Sequence, residues 1–159
     1  MGLTTPSEGD INVERYKMQL RTELTVETSS GIHLKAAPGK TTTVLGSYSA
    51  DTRKILPELG NVHTTYYGPR EGCFNLLNVP EDLYDPDHPE IFWEEYNKPW
   101  LDAAIARGDM IVLATEPSVG NCIKFSWKKG VYLTGFGREI LHLISNGYRY
   151  DAALKQMVR

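Results

Sequence analysis

Gly39-Lys40-Thr41-Thr42-Thr43-Val44-Leu45-Gly46 sets a lysine and three threonines between glycines, and whether it is a phosphate loop or a strand decides the fold. A Walker-type loop carries another glycine five positions before the one that precedes its lysine, so that backbone N–H groups can close around a phosphate. Leu34 stands at that position. The lysine of such a loop also opens a helix, whereas Thr41, Thr42, Thr43 and Val44 are consecutive β-branched residues, stiff at χ1 and suited to a pleated surface. The segment therefore reads as a strand, with Lys40 and the hydroxyls on or beside a sheet.

Working outward, Met110–Thr115 is a continuous apolar run of strand length and is expected to be a central strand. Phe74–Val79, stopped by Pro80, and Val131–Thr134 are further strands. Ile91, Phe92, Tyr96, Trp100, Leu101, Ala104 and Ile105 recur at steps of three and four, which predicts a helix closed by Gly108 and kinked or divided at Pro99. Phe136, Ile140, Leu141 and Ile144 predict another helix, ended by Gly147. Asp51 is expected to cap a helix containing Ile55, Leu56 and Leu59. Residues 13–28 read as helix and then strand, and residues 1–12 as a flexible leader. Helices and strands without a repeating βαβ series make this an α+β chain. At 159 residues and 41% hydrophobic content it is expected to form one domain over 13–159.

The net charge of -3 is unevenly distributed. Residues 51–116 carry thirteen acids against five bases, and residues 117–159 carry two against seven. The basic third, which includes Lys124, Lys128, Lys129 and Arg138, suits a polyanion, and the acidic middle suits a basic partner, unless each is simply a solvated face. Cys73 and Cys122 have no zinc-ligand spacing and read either as packed thiols or as one disulfide. No apolar run approaches the length of a membrane helix, and no signal-peptide pattern is evident.

Four blocks in this order, GKTTTVLGSY at 39–48, FNLLNVP at 74–80, EEYNKPWLDAAIARGDMIVLAT at 94–115 and LTGFGREILHLISNGYRYD at 133–151, resemble the C-terminal toxin domain of large bacterial polymorphic toxins. Those of contact-dependent growth inhibition systems are included. The resemblance spans 39–158. It implies a secreted or surface-delivered toxin module that acts in the cytoplasm of a target cell and is neutralised by a cognate immunity protein. It further implies metal-independent RNA cleavage, often of transfer RNA and without a cofactor, on a barnase/EndoU/colicin/RelE-like (BECR) fold. Such a fold has a central, mostly antiparallel sheet flanked by helices. The strongly basic face usual in such ribonucleases is absent here, positive charge being concentrated toward the C-terminal end.

Metal-free RNA cleavage needs a base for the 2′-OH, cations or hydrogen-bond donors for the phosphorane oxygens, and an acid for the leaving 5′-oxygen. Lys40 supplies a charge, and either Thr42 or Thr43 a hydroxyl, since successive strand residues face opposite ways. A strand-edge lysine and sheet-forming threonines would read the same. Arg138 and Glu139 follow Gly135-Phe136-Gly137, where a helix start offers N–H groups to phosphate; Glu139 is either a base or an acid placed for the helix dipole. His142, four residues after Arg138, shares its face or packs in the core. His33 and Lys35 alternate on one face of a possible strand. Thr115, Tyr148 and Lys128 complete the candidate substrate contacts. Trp93, Tyr96 and Trp100 read more readily as core than as base-stacking groups, whereas Tyr66, Tyr67, Tyr148 and Tyr150 flank turns and suit stacking. Glu81–Glu95, with seven acids and no base, shows no metal-ligand spacing and is a candidate docking surface for the immunity protein.

Two other functions remain open on the sequence. One is an NAD-consuming toxin, either an ADP-ribosyltransferase or a glycohydrolase; the other is a non-catalytic binding module.

Overall fold

The computed structural model describes residues 24–27, 33–36, 40–53 and 74–159. The expected leader, the helix expected before residue 24, the predicted helix core at Ile55, Leu56 and Leu59, and Tyr66, Tyr67 and Cys73 lie outside these residues. In chain order the strands are β1 (Leu24–Glu27), β2 (His33–Ala36), β3 (Thr42–Leu45), β4 (Phe74–Asn75), β5 (Met110–Leu113), β6 (Ile123–Ser126), β7 (Gly130–Leu133), β8 (Arg149–Asp151) and β9 (Gln156–Val158).

The β-branched run that rules out a phosphate loop forms β3, and the apolar run at 110–113 forms β5 at the centre of a five-stranded sheet ordered β4-β3-β5-β9-β8. β3 is parallel to both β4 and β5, with Thr43 opposite Asn75 on one side and Ile111 on the other. β9 is antiparallel to both β5 and β8. The expectation of a mostly antiparallel central sheet is therefore corrected to a mixed one. Connection length explains the difference: a long crossover carrying a helix returns the chain parallel between β3 and β5, and a short turn returns it antiparallel between β8 and β9. β1 with β2, and β6 with β7, form separate antiparallel pairs.

The long helical pattern comprises α1 (Pro89–Phe92), a π-turn at Trp93–Asn97, and α2 (Lys98–Arg107). Pro99 causes this interruption, because it has no N–H to donate to a carbonyl in the preceding turn. The chain widens there, and Lys98 N–H reaches back five residues to the Trp93 carbonyl. Gly108 closes α2, as expected. Asp51 lies within a separate π-turn, Tyr48–Thr52, that begins after Ser47, so it does not cap a helix. A single-turn helix, α3 (Val119–Cys122), follows Ser118. The last helix, α4 (Gly135–Ser145), is capped by Thr134, whose Oγ1 accepts from Gly137 N–H at 2.9 Å. Among the described residues no helix is long and apolar enough to cross a membrane.

α2 and α4 pack on the sheet. Trp100 and Leu101 from α2, Phe136, Ile140 and Leu143 from α4, and Leu45, Ile111, Leu113 and Met157 from the strands make one buried cluster. Two glycines permit this packing through close approach. A Cβ at Gly137 would lie 2.2 Å from the Cys122 carbonyl oxygen, so α3 and α4 touch through backbone. A Cβ at Gly46 would lie 2.9 Å from Thr115 Oγ1 and Thr52 Cγ2, which is why the opening segment ends in glycine where β3 and β5 terminate side by side. The domain is α+β: a five-stranded mixed sheet with helices and a protruding β6–β7 hairpin.

Candidate functional site

Two polar constellations stand out, and only one of them is open. The closed one crosses the sheet. Trp100 Nε1–H donates to Asn75 Oδ1 at 3.0 Å, Asn75 Nδ2–H to Thr43 Oγ1 at 2.9 Å, and Thr43 Oγ1–H to Asp109 Oδ2 at 3.0 Å. Arg107 Nη2 completes the chain by donating to Asp109 Oδ2 at 2.7 Å. Thr43 and Asn75 are wholly buried, and Trp100 and Asp109 nearly so. Such a saturated network fixes the pairing of β3, β4 and the end of α2. Thr42 is also wholly buried. Both faces of β3 are thus covered, and neither Thr42 nor Thr43 presents its hydroxyl to solvent.

The open constellation is a cleft between the long helix, the β6–β7 hairpin and the start of α4, occupying about 420 Å³ with its solvent-open mouth. Tyr84, Pro89, Phe92, Trp93 and Asn97 form one wall; Lys129, Tyr132, Leu133, Thr134, Gly135 and Arg138 form the other. Arg138 is the fourth residue of α4, and that helix has no acid in its first turn. Arg138 makes no ion pair among the described residues. A cation near the positive end of a helix is unfavourable by itself and becomes favourable when an anion lies between them. Lys129 lies 5.3 Å from the centre of the Tyr132 ring and donates to the Pro86 carbonyl. Asn97, buried inside the π-turn, has no hydrogen-bond partner for its Oδ1 among the described residues, and that atom is not open to the cleft. The cleft therefore combines two cations and three aromatic rings beyond the core-packed Trp93.

Of the sequence candidates, the cleft gathers Arg138 alone in its lining, with Lys128 in the adjacent turn. Lys128 is exposed and pairs with Asp87 at 2.9 Å. His142 shares the Arg138 side of α4, as their four-residue spacing predicts. Its Nε2 meets Asp102 Oδ1, and its ring lies edge-on to Trp93 with centroids 5.5 Å apart. His142 thus sits one side chain behind the cleft wall. Glu139 points elsewhere: it is buried with the core-facing residues of α4 and is absent from the cleft lining.

The remaining candidates are scattered. Lys40 is exposed just before β3, whereas Thr115 is buried beyond the far end of β5. Thr115 Oγ1 accepts from Ser47 N–H at 2.8 Å and donates to Asp51 Oδ2, a knot that ties the strand ends together. Tyr148 is buried in the core with the Arg159 guanidinium 4.8 Å from its ring centre. His33 and Lys35 belong to β2, whose side chains are outside the described set. Cys122 is a free thiol pushed up by burial. The acidic stretch 81–95 is largely exposed, and no three His, Cys, Asp or Glu side chains gather to form a metal site among the described residues.

Asn97, Tyr132 and Tyr84 were not singled out by sequence, Lys129 was named only within the basic third, and Phe92 only as part of the helical pattern. The available signal was Lys128-Lys129-Gly130 between two alternating segments, IKFS and VYL, which marks a basic hairpin turn.

Burial pushes the Glu139 carboxyl from its ordinary 4.5 up to about 8. At neutral pH it is mostly protonated, and its buried position keeps it from the cleft. With the folded value above the unfolded one, its stabilising contribution is complete below about pH 4.5 and is lost as pH rises to about 8. Wild-type protein is expected to lose unfolding free energy across that window, by at most about 1.4 kcal/mol per pH unit, relative to Glu139→Gln. Urea unfolding of both proteins at several pH values measures this. Parallel pH profiles would mean that the carboxyl ionises freely in the fold.

Comparison with known proteins adds no assignment: no family model, no curated protein and no solved structure matches the chain.

Proposed function

We propose that this chain is an antibacterial toxin domain that cleaves RNA, with transfer RNA as the expected substrate, without a metal, and under the control of a cognate immunity protein. The observation that carries it is Arg138. It is a cation in the first turn of α4 that makes no salt bridge among the described residues, though its charge acts on the Glu90 carboxylate, and it lies on a cleft that also holds Lys129 and aromatic rings. RNA offers a complementary partner for each: a phosphate for the cations and the helix start, and a base face for Tyr84, Phe92 and Tyr132.

In this reaction the 2′-oxygen attacks phosphorus, the P–O5′ bond breaks, and a 2′,3′-cyclic phosphate forms. One proton leaves the 2′-OH and another reaches the departing 5′-oxygen. Arg138 and Lys129 balance the charge that builds on the phosphorane oxygens. The proton carriers belonging to this reading are the Tyr84 and Tyr132 hydroxyls on the lining, while His142, held by Asp102, supports Trp93 from behind the wall. The parallel pairing of β3 with β4 and β5 departs from the mostly antiparallel sheet expected of the BECR type, so the reading draws its support from the cleft and not from the sheet. Delivery as part of a larger secreted toxin and action in the target-cell cytoplasm also belong to that reading.

Purified protein incubated with total RNA in EDTA is expected to yield discrete transfer RNA fragments ending in cyclic phosphate. Intact RNA together with cell killing and loss of cellular NAD would instead favour an NAD-consuming toxin. Intact RNA without either effect would leave a binding module.

A further inference from the structure

The β6–β7 hairpin carries more exposed aromatic surface than its own packing explains. Trp127 at its turn is 95% exposed and Phe125 is 59% exposed, although both are among the residues most often drawn toward a core. Their rings meet edge to face, with centroids 5.2 Å apart, so they form one surface. The register places Phe125 opposite Val131 and Lys124 opposite Tyr132. Consecutive residues alternate in direction, so Phe125 and Val131 share one face while Lys124 and Tyr132 share the other. Lys129 and Tyr132 line the cleft. The hairpin is thus a cleft wall whose outer face is apolar, whose tip sets Trp127 beside Lys128 and Lys129, and whose outer rings no described residue covers.

Charge identifies the occupant. Residues 117–138 contain Lys124, Lys128, Lys129 and Arg138 and no acid, in a chain whose net charge is -3. Lys128 and Lys129 hold the hairpin against the 86–87 loop through Asp87 and the Pro86 carbonyl, and exposed pairs of this kind are weak enough to exchange for phosphate. Rings interleaved with cations, continuous with a phosphate-suited cleft, match the chemistry of single-stranded nucleic acid: stacking for bases and ammonium groups for the backbone.

The geometry points to Trp127 and Phe125 as a stacking platform that grips unpaired nucleotides flanking the one held in the cleft. It rests on the RNA reading of the cleft and extends the site to a single-stranded segment several nucleotides long. A base–aromatic stack tolerates any base, so the platform contributes affinity and a demand for unpaired substrate, and leaves base choice to the cleft.

The test uses the full chain and a fluorescein-labelled twelve-nucleotide 2′-O-methyl RNA, which lacks the 2′-OH needed for cleavage, read by anisotropy at low salt. Trp127→Ala is expected to weaken binding about tenfold or more, Trp127→Phe to retain most of the affinity, and the same oligonucleotide in a duplex to show no dependence on Trp127. Trp127 makes little contact with the core, so unchanged thermal unfolding accompanies the loss. Equal affinity of wild type and Trp127→Ala for the single strand would overturn the platform and leave the apolar face to a protein partner. Equal loss on duplex would overturn it as well. A wild type that binds with the expected Trp127 dependence but cuts no RNA would sink the ribonuclease function and leave the platform standing.

Discussion

Replacing Arg138 with alanine is expected to slow RNA cleavage about a hundredfold to a thousandfold, the usual loss when one preorganised group facing transition-state charge is removed. The fall should lie mainly in kcat, because negative charge on the phosphoryl oxygens grows between bound substrate and transition state. Stability should move the other way or not at all. Arg138 is the fourth residue of α4, near the positive end of the helix dipole, and makes no salt bridge with a described carboxylate, its charge being felt only weakly by the exposed Glu90. Its removal relieves an unfavourable interaction of about 0.3–1 kcal/mol. Lost activity with an unchanged or slightly higher melting temperature would separate a catalytic role from a structural one. Arg138→Lys should recover only part of the rate, since an ammonium keeps the charge but not the two-pronged hydrogen bonding of a guanidinium. Cleavage at the wild-type rate by Arg138→Ala would remove the observation on which the proposed function stands.

The largest expected loss of stability comes from Asn75→Leu. Leucine keeps the branching of asparagine but is bulkier, so no cavity forms and the loss combines the missing hydrogen bonds with some crowding. Trp100 Nε1–H loses its acceptor and Thr43 Oγ1 loses a donor, both in positions that water does not reach. Leaving such groups empty is expected to cost about 2–4 kcal/mol. For a chain of this size that corresponds to a fall of about 5–15 °C in melting temperature. Scanning calorimetry of both proteins decides it, and a shift of a degree or less would show that the network is dispensable. Because Asn75 is remote from the cleft lining, activity per folded molecule should be retained below the transition.

How much of this could be read from the sequence follows from where each signal resides. β3 and β5 were legible because a β-branched run and an unbroken apolar run are local features, and α4 because Phe136, Ile140, Leu141 and Ile144 recur at helical steps, although Leu143 is buried while Leu141 and Ile144 face solvent. β8 and β9 were not. Each has three residues, Met157 alone among them is deeply buried, and the turn between them bends at Lys155 with φ +53°. β6 was missed for the opposite reason: its apolar residues face solvent, so no core-directed alternation singled it out. At the site, Arg138 stood out through the glycines before it. Asn97 did not, for an asparagine in a helical run carries no signal until the turn forced by Pro99 buries it. Thr42 and Thr43 were expected to divide between a site and the core. Neighbours covering both faces of β3 bury them both, a tertiary fact that no local pattern contains.

The position of β9 also bears on the order in which the molecule can be assembled. β5, at the middle of the sheet, acquires its second neighbour only when residues 156–158 are in place, and β8 joins the sheet through β9 alone. A chain emerging from the ribosome presents the bare edge of β5 until that short segment arrives. Completion of the sheet is thus timed by the last of the described strands, after the residues of the cleft have been made.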